Sequence, residues 1–184
     1  MKRITAPLDK ETALSLKSGD RVLLSGYIYT SRDAGHKRMC EALKNGEELP
    51  IDLTDSVIYY VGPTPAKQGD IIGSAGPTTS GRMDAYAPTL MEKGLRGMIG
   101  KGERNADVIS AMQKNGCVYF GAIGGAGALL SQCVKENTPI AYEDLGAEAL
   151  CRLLVEDMPL TVIIDANGNN LYKTGRENYL NKQQ

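Results

Sequence analysis

The chain reads as an α/β domain on a mixed sheet. Two observations predict this. Apolar runs of strand length alternate with segments of helical period along most of the sequence. Near the C-terminus two apolar runs and an Asn167-Gly168 turn depart from a strict βαβ series, so part of the sheet is expected to be antiparallel. The 184 residues suffice to bury one core without staples, and residues 1–184 are read as a single domain with flanking helices.

Each element follows from local pattern. Residues 9–18 are expected to form a short helix, with Leu14 and Leu16 apolar and Gly19 ending it. Residues 21–30 alternate and are rich in Val, Leu, Ile and Tyr, which predicts a strand. Residues 34–44 place Met39, Cys40 and Leu43 on one helical face before Gly46. A strand at 57–61 runs into the breaker cluster Gly62-Pro63-Thr64-Pro65. A helix at 82–93, closed by Gly94, precedes a strand at 97–100. A helix at 105–114 turns Val108, Ile109 and Met112 inward. Then come a strand at 117–122, a small-residue helix at 127–134 and a strand at 139–142. The apolar runs 150–155 and 160–165 read as two strands, and 170–172 as a last one after the turn.

Composition excludes several functions. Lys plus Arg number 21 and Asp plus Glu 22, so a net charge of −1 gives no global field to draw nucleic acid or an anionic membrane. Trp is absent and Phe occurs once, which leaves few platforms for stacking bases. A single histidine, His36, cannot build a His-rich metal site. Cys40, Cys117, Cys133 and Cys151 lack CxxC spacing; they read as packing residues rather than as ligands of a metal or cluster. The first eight residues carry charge without an apolar run, so the expectation is a cytoplasmic protein with reduced thiols.

Four glycine-rich or polar segments follow expected strands: 31–36, 76–84, 100–102 and 121–127. In α/β sheets ligands collect where strands end and helices begin. Three of these segments pair a cation with small residues: Arg32, Arg82 and Lys101. One such arginine alone is ordinarily a solvated surface group. Three converging would make a site for a small polyanion, a dicarboxylate or a phosphate. The segment Gly76-Pro77-Thr78-Thr79-Ser80-Gly81-Arg82-Met83-Asp84 lacks P-loop spacing. Thr79 or Ser80 could simply cap the following helix, and a helix starting near Thr78 would put Thr78 and Arg82 on one side. The run Gly121 to Gly127 lacks dinucleotide-binding spacing, and its glycines read better as close packing or substrate approach. His36 reads either as a satisfied helix histidine or, beside Arg32 and Asp33, as part of the site.

These segments carry a resemblance. Ile28-Tyr29-Thr30-Ser31-Arg32-Asp33-Ala34-Gly35-His36-Lys37-Arg38, the 76–84 segment, Lys101-Gly102, Gly124-Gly125-Ala126 and Ala141-Tyr142-Glu143-Asp144-Leu145-Gly146 resemble a known family. It is the β subunit, or C-terminal domain, of the iron–sulfur hydro-lyases, class I fumarate hydratase and L-tartrate dehydratase. The resemblance covers nearly the whole chain and departs at Gly35, where Ala is expected. It implies a swivelling β/β/α fold. It implies a hydro-lyase that hydrates fumarate reversibly to (S)-malate, with this chain inactive alone. A partner α subunit would carry a [4Fe-4S] cluster as Lewis acid, not ligated by this chain, in an assembly such as (alpha-beta)2. By the same resemblance Thr78 is the base, Lys101 and His36 assist catalysis, and Arg32, Arg82, Thr79 and Gly76 bind substrate. The ending Gly81-Arg82-Met83-Asp84 looks more like the fumarase branch. An L-tartrate dehydratase β subunit and a non-catalytic dicarboxylate or phosphate module are the alternatives. The polar tail 176–184 would fray or meet the partner.

Overall fold

The computed structural model describes residues 1–122 and 126–175. Seven strands form one mixed sheet: β1 (Lys2–Ala6), β2 (Arg21–Thr30), β3 (Val57–Tyr59), β4 (Gly97–Gly100), β5 (Val118–Gly121), β6 (Val134–Ala141) and β7 (Leu150–Ile164). Strands β1 to β5 lie side by side and parallel. β7 runs antiparallel to β5, β6 and β2. Because β7 pairs with both β2 and β5, the strands β2, β3, β4, β5 and β7 close into a small barrel, with β1 and β6 outside the ring. The helices are α1 (Lys10–Ser15), α2 (Asp33–Lys44), α3 (Ala87–Glu92), α4 (Ala106–Asn115) and α5 (Gly127–Gln132). The mixed sheet and flanking helices are those of the expected swivelling β/β/α class.

Period-two alternation divides the apolar residues between two cores. Val57, Tyr59, Val118 and Phe120 join Leu24, Ile28, Val155 and Val162 in one. Their neighbours Ile58, Tyr60 and Tyr119 face the other, which holds Met39 of α2, Leu90 of α3 and Met112 of α4. Strands buried on both faces explain the nearly continuous apolar runs in the sequence.

Several boundaries differ from the sequence reading. The first residues form β1, which no element was expected to occupy. The expected helix 82–93 is a 3₁₀ segment, Ser80–Met83, followed by the separate helix α3, whose Pro88 lies in its first turn, where its missing N–H costs no hydrogen bond. β6 starts at Val134 and takes the end of the expected helix 127–134. The two runs 150–155 and 160–165 are one 15-residue strand. Its charged middle is a bend: Asp157 has φ 48°, and its N–H donates to Ser25 Oγ at 3.0 Å. After the Asn167-Gly168 turn, Asn170 alone among the described residues bridges back to Ile164, and residues 171–175 are helical.

Candidate active site

All five parallel strands end at the same edge, so the segments that follow β2, β3 and β4 lie next to one another. The 76–80 segment threads between the extensions of β3 and β4. Pro77 bridges Val61, and the Thr78 N–H donates to the Tyr60 carbonyl at 2.8 Å. Thr79 bridges Lys101 in parallel. The Lys101 N–H donates to the Thr78 carbonyl at 3.3 Å, and the Ser80 N–H to the Lys101 carbonyl at 2.9 Å. Thr78, Thr79 and Lys101 are therefore neighbours through backbone hydrogen bonds, although 23 positions separate Thr78 from Lys101 in sequence. The Lys101 and Thr79 side chains are exposed, and Thr78 is partly so.

Arg32 stands at the start of α2, where β2 ends. Its Nε lies 3.1 Å from Glu148 Oε1 and 3.9 Å from Asp33 Oδ1. A Cβ on Gly62 would sit 2.3 Å from Arg32 Nη1, so a side chain there would displace the guanidinium from this position. Arg82 Nη2 donates to Asp33 Oδ2 at 2.7 Å. Asp33 thus ties the two arginines together. Burial pushes its carboxyl up. Backbone hydrogen bonding and the Arg82 and Arg32 charges outweigh that, and the carboxyl titrates below its usual value. Gly76 lies against Gly127, where a Cβ would come within 3.0 Å of the Gly76 nitrogen; the two loops meet backbone to backbone.

His36 is fully buried behind Arg32. Its Nδ1 lies 2.8 Å from Ser31 Oγ and 3.0 Å from the Arg32 carbonyl, and its ring meets Tyr60 edge-on at 5.2 Å. Nε2 has no hydrogen-bond partner among the described residues. Burial lowers its pKa to about 4, against a raising contribution from the Arg32 carbonyl and with a further lowering one from the Arg104 charge. At neutral pH the ring is therefore uncharged. With the proton on Nδ1 it donates to the Arg32 backbone and supports the arginine from within.

The helix does not start near Thr78: the 3₁₀ turn begins at Ser80, and Thr79 makes no capping bond. Ser80 instead faces inward, its Oγ 2.9 Å from the Tyr119 hydroxyl. Beneath it lies an ion pair that sequence reasoning missed. Arg104 Nε donates to Asp84 Oδ1 at 2.7 Å, with the Arg104 side chain wholly buried. Asp84 Oδ2 also accepts from the Asn105 N–H at 2.8 Å. The only available signal was an arginine just before the helix cap Asn105, and no spacing rule links it to Asp84.

Among the described residues no group of three or more His, Cys, Asp or Glu side chains could hold a metal ion. Burial pushes the Cys117 thiol up to about 12, and the thiol donates to the Leu95 carbonyl. Residues 123–125, with the Gly124-Gly125 motif, lie outside the described residues, as does the tail 176–184. An apolar cleft of about 260 Å³ between Thr30, Pro63, Ile71, Ile72 and Cys151 adjoins the site but contains none of its cations. No described helix is long and apolar enough to cross a membrane.

The fold is thus a single α/β domain with a small closed barrel, whose strand-end segments carry Arg32, Arg82 and Lys101. The chain belongs to the family described as Fumarase C-terminus, whose model matches residues 2–175. It is 38% identical over 170 residues to "Fumarate hydratase 2" of Leishmania major, covering 90% of this chain and 30% of that protein. It is 40% identical over 155 residues to "Fumarate hydratase class I, aerobic" of Escherichia coli (strain K12), covering 83% of this chain and 28% of that protein. Against "Putative L(+)-tartrate dehydratase subunit beta" of Methanocaldococcus jannaschii it is 38% identical over 172 residues, covering 90% of this chain and 88% of that protein. The chain thus spans under a third of the fumarate hydratases and nearly all of the tartrate dehydratase subunit.

Proposed function

We propose that this chain is the β subunit of a class I fumarate hydratase and supplies the base and the carboxylate-binding cations for the reversible hydration of fumarate to (S)-malate. One observation carries the reading: the three segments that carry Arg32, Thr78 with Arg82, and Lys101 are joined at one edge of the sheet by backbone hydrogen bonds and the Asp33 ion pairs.

In the dehydration direction a proton leaves the carbon next to one carboxylate, and negative charge moves onto that carboxylate. Arg32 and Arg82 grip carboxylates through paired N–H donors. Lys101 adds a mobile positive charge beside Thr78. Interactions that strengthen as the charge develops lower the barrier, whereas uniform binding does not. Thr78 Oγ1 accepts the proton. A hydroxyl is a weak base, and in this reading the Lys101 side chain turns its charge towards it and favours the alkoxide. His36 stays neutral and holds the Arg32 backbone. The chain's own thiols do not fit as cluster ligands, since they are dispersed and Cys117 is held protonated. In this reading a [4Fe-4S] cluster on a partner α subunit would supply the Lewis acidity that lets the hydroxyl on the neighbouring carbon leave.

The near-complete match to a tartrate dehydratase β subunit favours a second reading, with the same grip on a dicarboxylate that bears one more hydroxyl. Anaerobic co-expression with a cluster-bearing partner, assayed for fumarate hydration beside tartrate dehydration, separates the two. We expect hydration that requires both chains, with Thr78→Ala lowering kcat by about 10²-fold or more and KM little changed. An intact complex inactive on every dicarboxylate would leave a binding module as the better account.

A further inference from the structure

Beneath the segments that carry Thr78, Thr79 and Lys101 lies a buried polar group with no place in the reaction just described. The Tyr119 hydroxyl, on β5, reaches two of those segments at once. It lies 2.9 Å from Ser80 Oγ and donates to the Gly102 carbonyl at 2.9 Å. Ser80 directly follows Thr78-Thr79, and Gly102 directly follows Lys101. Three further observations show that this junction is built tightly. Ser80 is fully buried, and a Cβ on Gly100 would fall 2.0 Å from its Oγ. The Arg104 guanidinium lies over the Tyr119 ring at 5.0 Å and over the Tyr60 ring at 5.4 Å, which fixes the phenol from its face. Asp84, which closes the 76–84 segment, anchors Arg104 in turn.

Core packing alone would be served by phenylalanine at 119. The hydroxyl is the part left unexplained, and both its contacts go to the two substrate-facing loops. Among the described residues those loops are otherwise joined near their tips by two backbone hydrogen bonds, from the Lys101 N–H and the Ser80 N–H, which together make the Thr79–Lys101 bridge. We propose that Tyr119 is a positioning residue: its hydroxyl ties the Thr78 segment to the Lys101 segment and sets how closely the base and the lysine approach. This rests on the hydro-lyase reading for its catalytic consequence, while the tie itself does not.

Tyr119→Phe tests it, because it removes one oxygen and keeps the ring under Arg104. Amide hydrogen exchange on the full chain reads the tie directly. In Tyr119→Phe the Ser80 and Lys101 amides should exchange about tenfold faster or more, with those of β4 and β5 unchanged. In the co-expressed complex kcat should fall about 10- to 100-fold, since small misplacements of reacting groups carry costs of that size, with KM within about threefold. Tyr27→Phe, which removes a hydroxyl on the far side of the sheet from these loops, should change neither readout. Unchanged exchange at Ser80 and Lys101 overturns the proposal whatever the assay gives. Faster exchange with unchanged kcat overturns the positioning role. A wild-type complex inactive on all dicarboxylates overturns the hydro-lyase reading, and the catalytic consequence of the tie with it. A uniform drop in stability with normal kcat in the folded fraction would mark Tyr119 as a core residue only and also overturns it.

Discussion

His36 shows how far burial can move a residue away from the role its neighbours suggest. In sequence it sits beside Arg32 and Asp33, the two residues that reach the site. In the fold it is fully enclosed, with Nδ1 on the Arg32 carbonyl and Nε2 facing no donor. Charging such a ring costs solvation that the Arg32 carbonyl and the Asp33 charge replace only in part. Its folded-state value of about 4 lies below the value near 6.5 of an exposed histidine. The unfolded chain therefore binds more protons between these values, and stability rises with pH across that window. The contribution of the neutral ring is fully present above about pH 6.5 and is lost as pH falls towards 4. Its size is on the order of 3 kcal/mol. Urea unfolding at pH 7 and pH 4 should show this loss in the native chain and a smaller loss in His36→Gln. Parallel losses in the two proteins would mean that other groups carry the acid sensitivity.

At the scale of elements, the strand β2 is held by three neighbours, since it pairs with β1, β3 and β7. Its register with β7 shifts between Leu24 and Gly26. Gly26 has φ +111°, and a Cβ there would meet the Ala6 carbonyl oxygen at 2.2 Å. Gly26→Ala combines a strained dihedral with a backbone clash between two strands and should cost on the order of 3 kcal/mol. Gly46→Ala separates the two effects, because Gly46 has φ +74° but nothing within 4 Å. It should cost about 1 kcal/mol by the same denaturation measurement. Equal costs would mean that the contact with Ala6 relaxes freely. Helix α4 was legible because Asn105 caps it through the Val108 N–H and its apolar face repeats with helical period. β7 was not, because Glu156, Asp157 and Pro159 look like breakers, whereas in the fold they lie where a bulged strand bends round the barrel. The candidate cations were legible for a similar local reason: Arg32 and Lys101 stand beside small residues just past a strand, and Arg82 lies in a stretch dense in glycine, serine and threonine. Their partners Asp33 and Glu148, and the Asp84–Arg104 pair beneath them, act through distant pairings that no sequence spacing encodes.

At the scale of the whole molecule, the topology makes one long strand responsible for closure. β7 pairs with β2 over residues 151–161, with β6 over 150–155 and with β5 over 161–164. Its side chains enter both cores: Leu153, Val155, Met158, Leu160 and Val162 in one, Leu150, Ile163 and Ile164 in the other. Burying eight such side chains contributes on the order of 15 kcal/mol. Without this strand both cores lose part of their lining and the ring stays open. The site depends on the same closure, because β2 carries Arg32 at its end and β7 holds β2 in the ring. The full chain should therefore unfold in a single transition, with far-UV circular dichroism and tyrosine fluorescence coinciding in urea. A chain ending at residue 149, before β7 begins, should show no cooperative transition. Two separated transitions in the full chain would mean that the ring is two independent sheets in solution. A cooperative transition in the shortened chain would mean that β1 to β5 hold the Arg32, Thr78 and Lys101 segments together by parallel pairing alone.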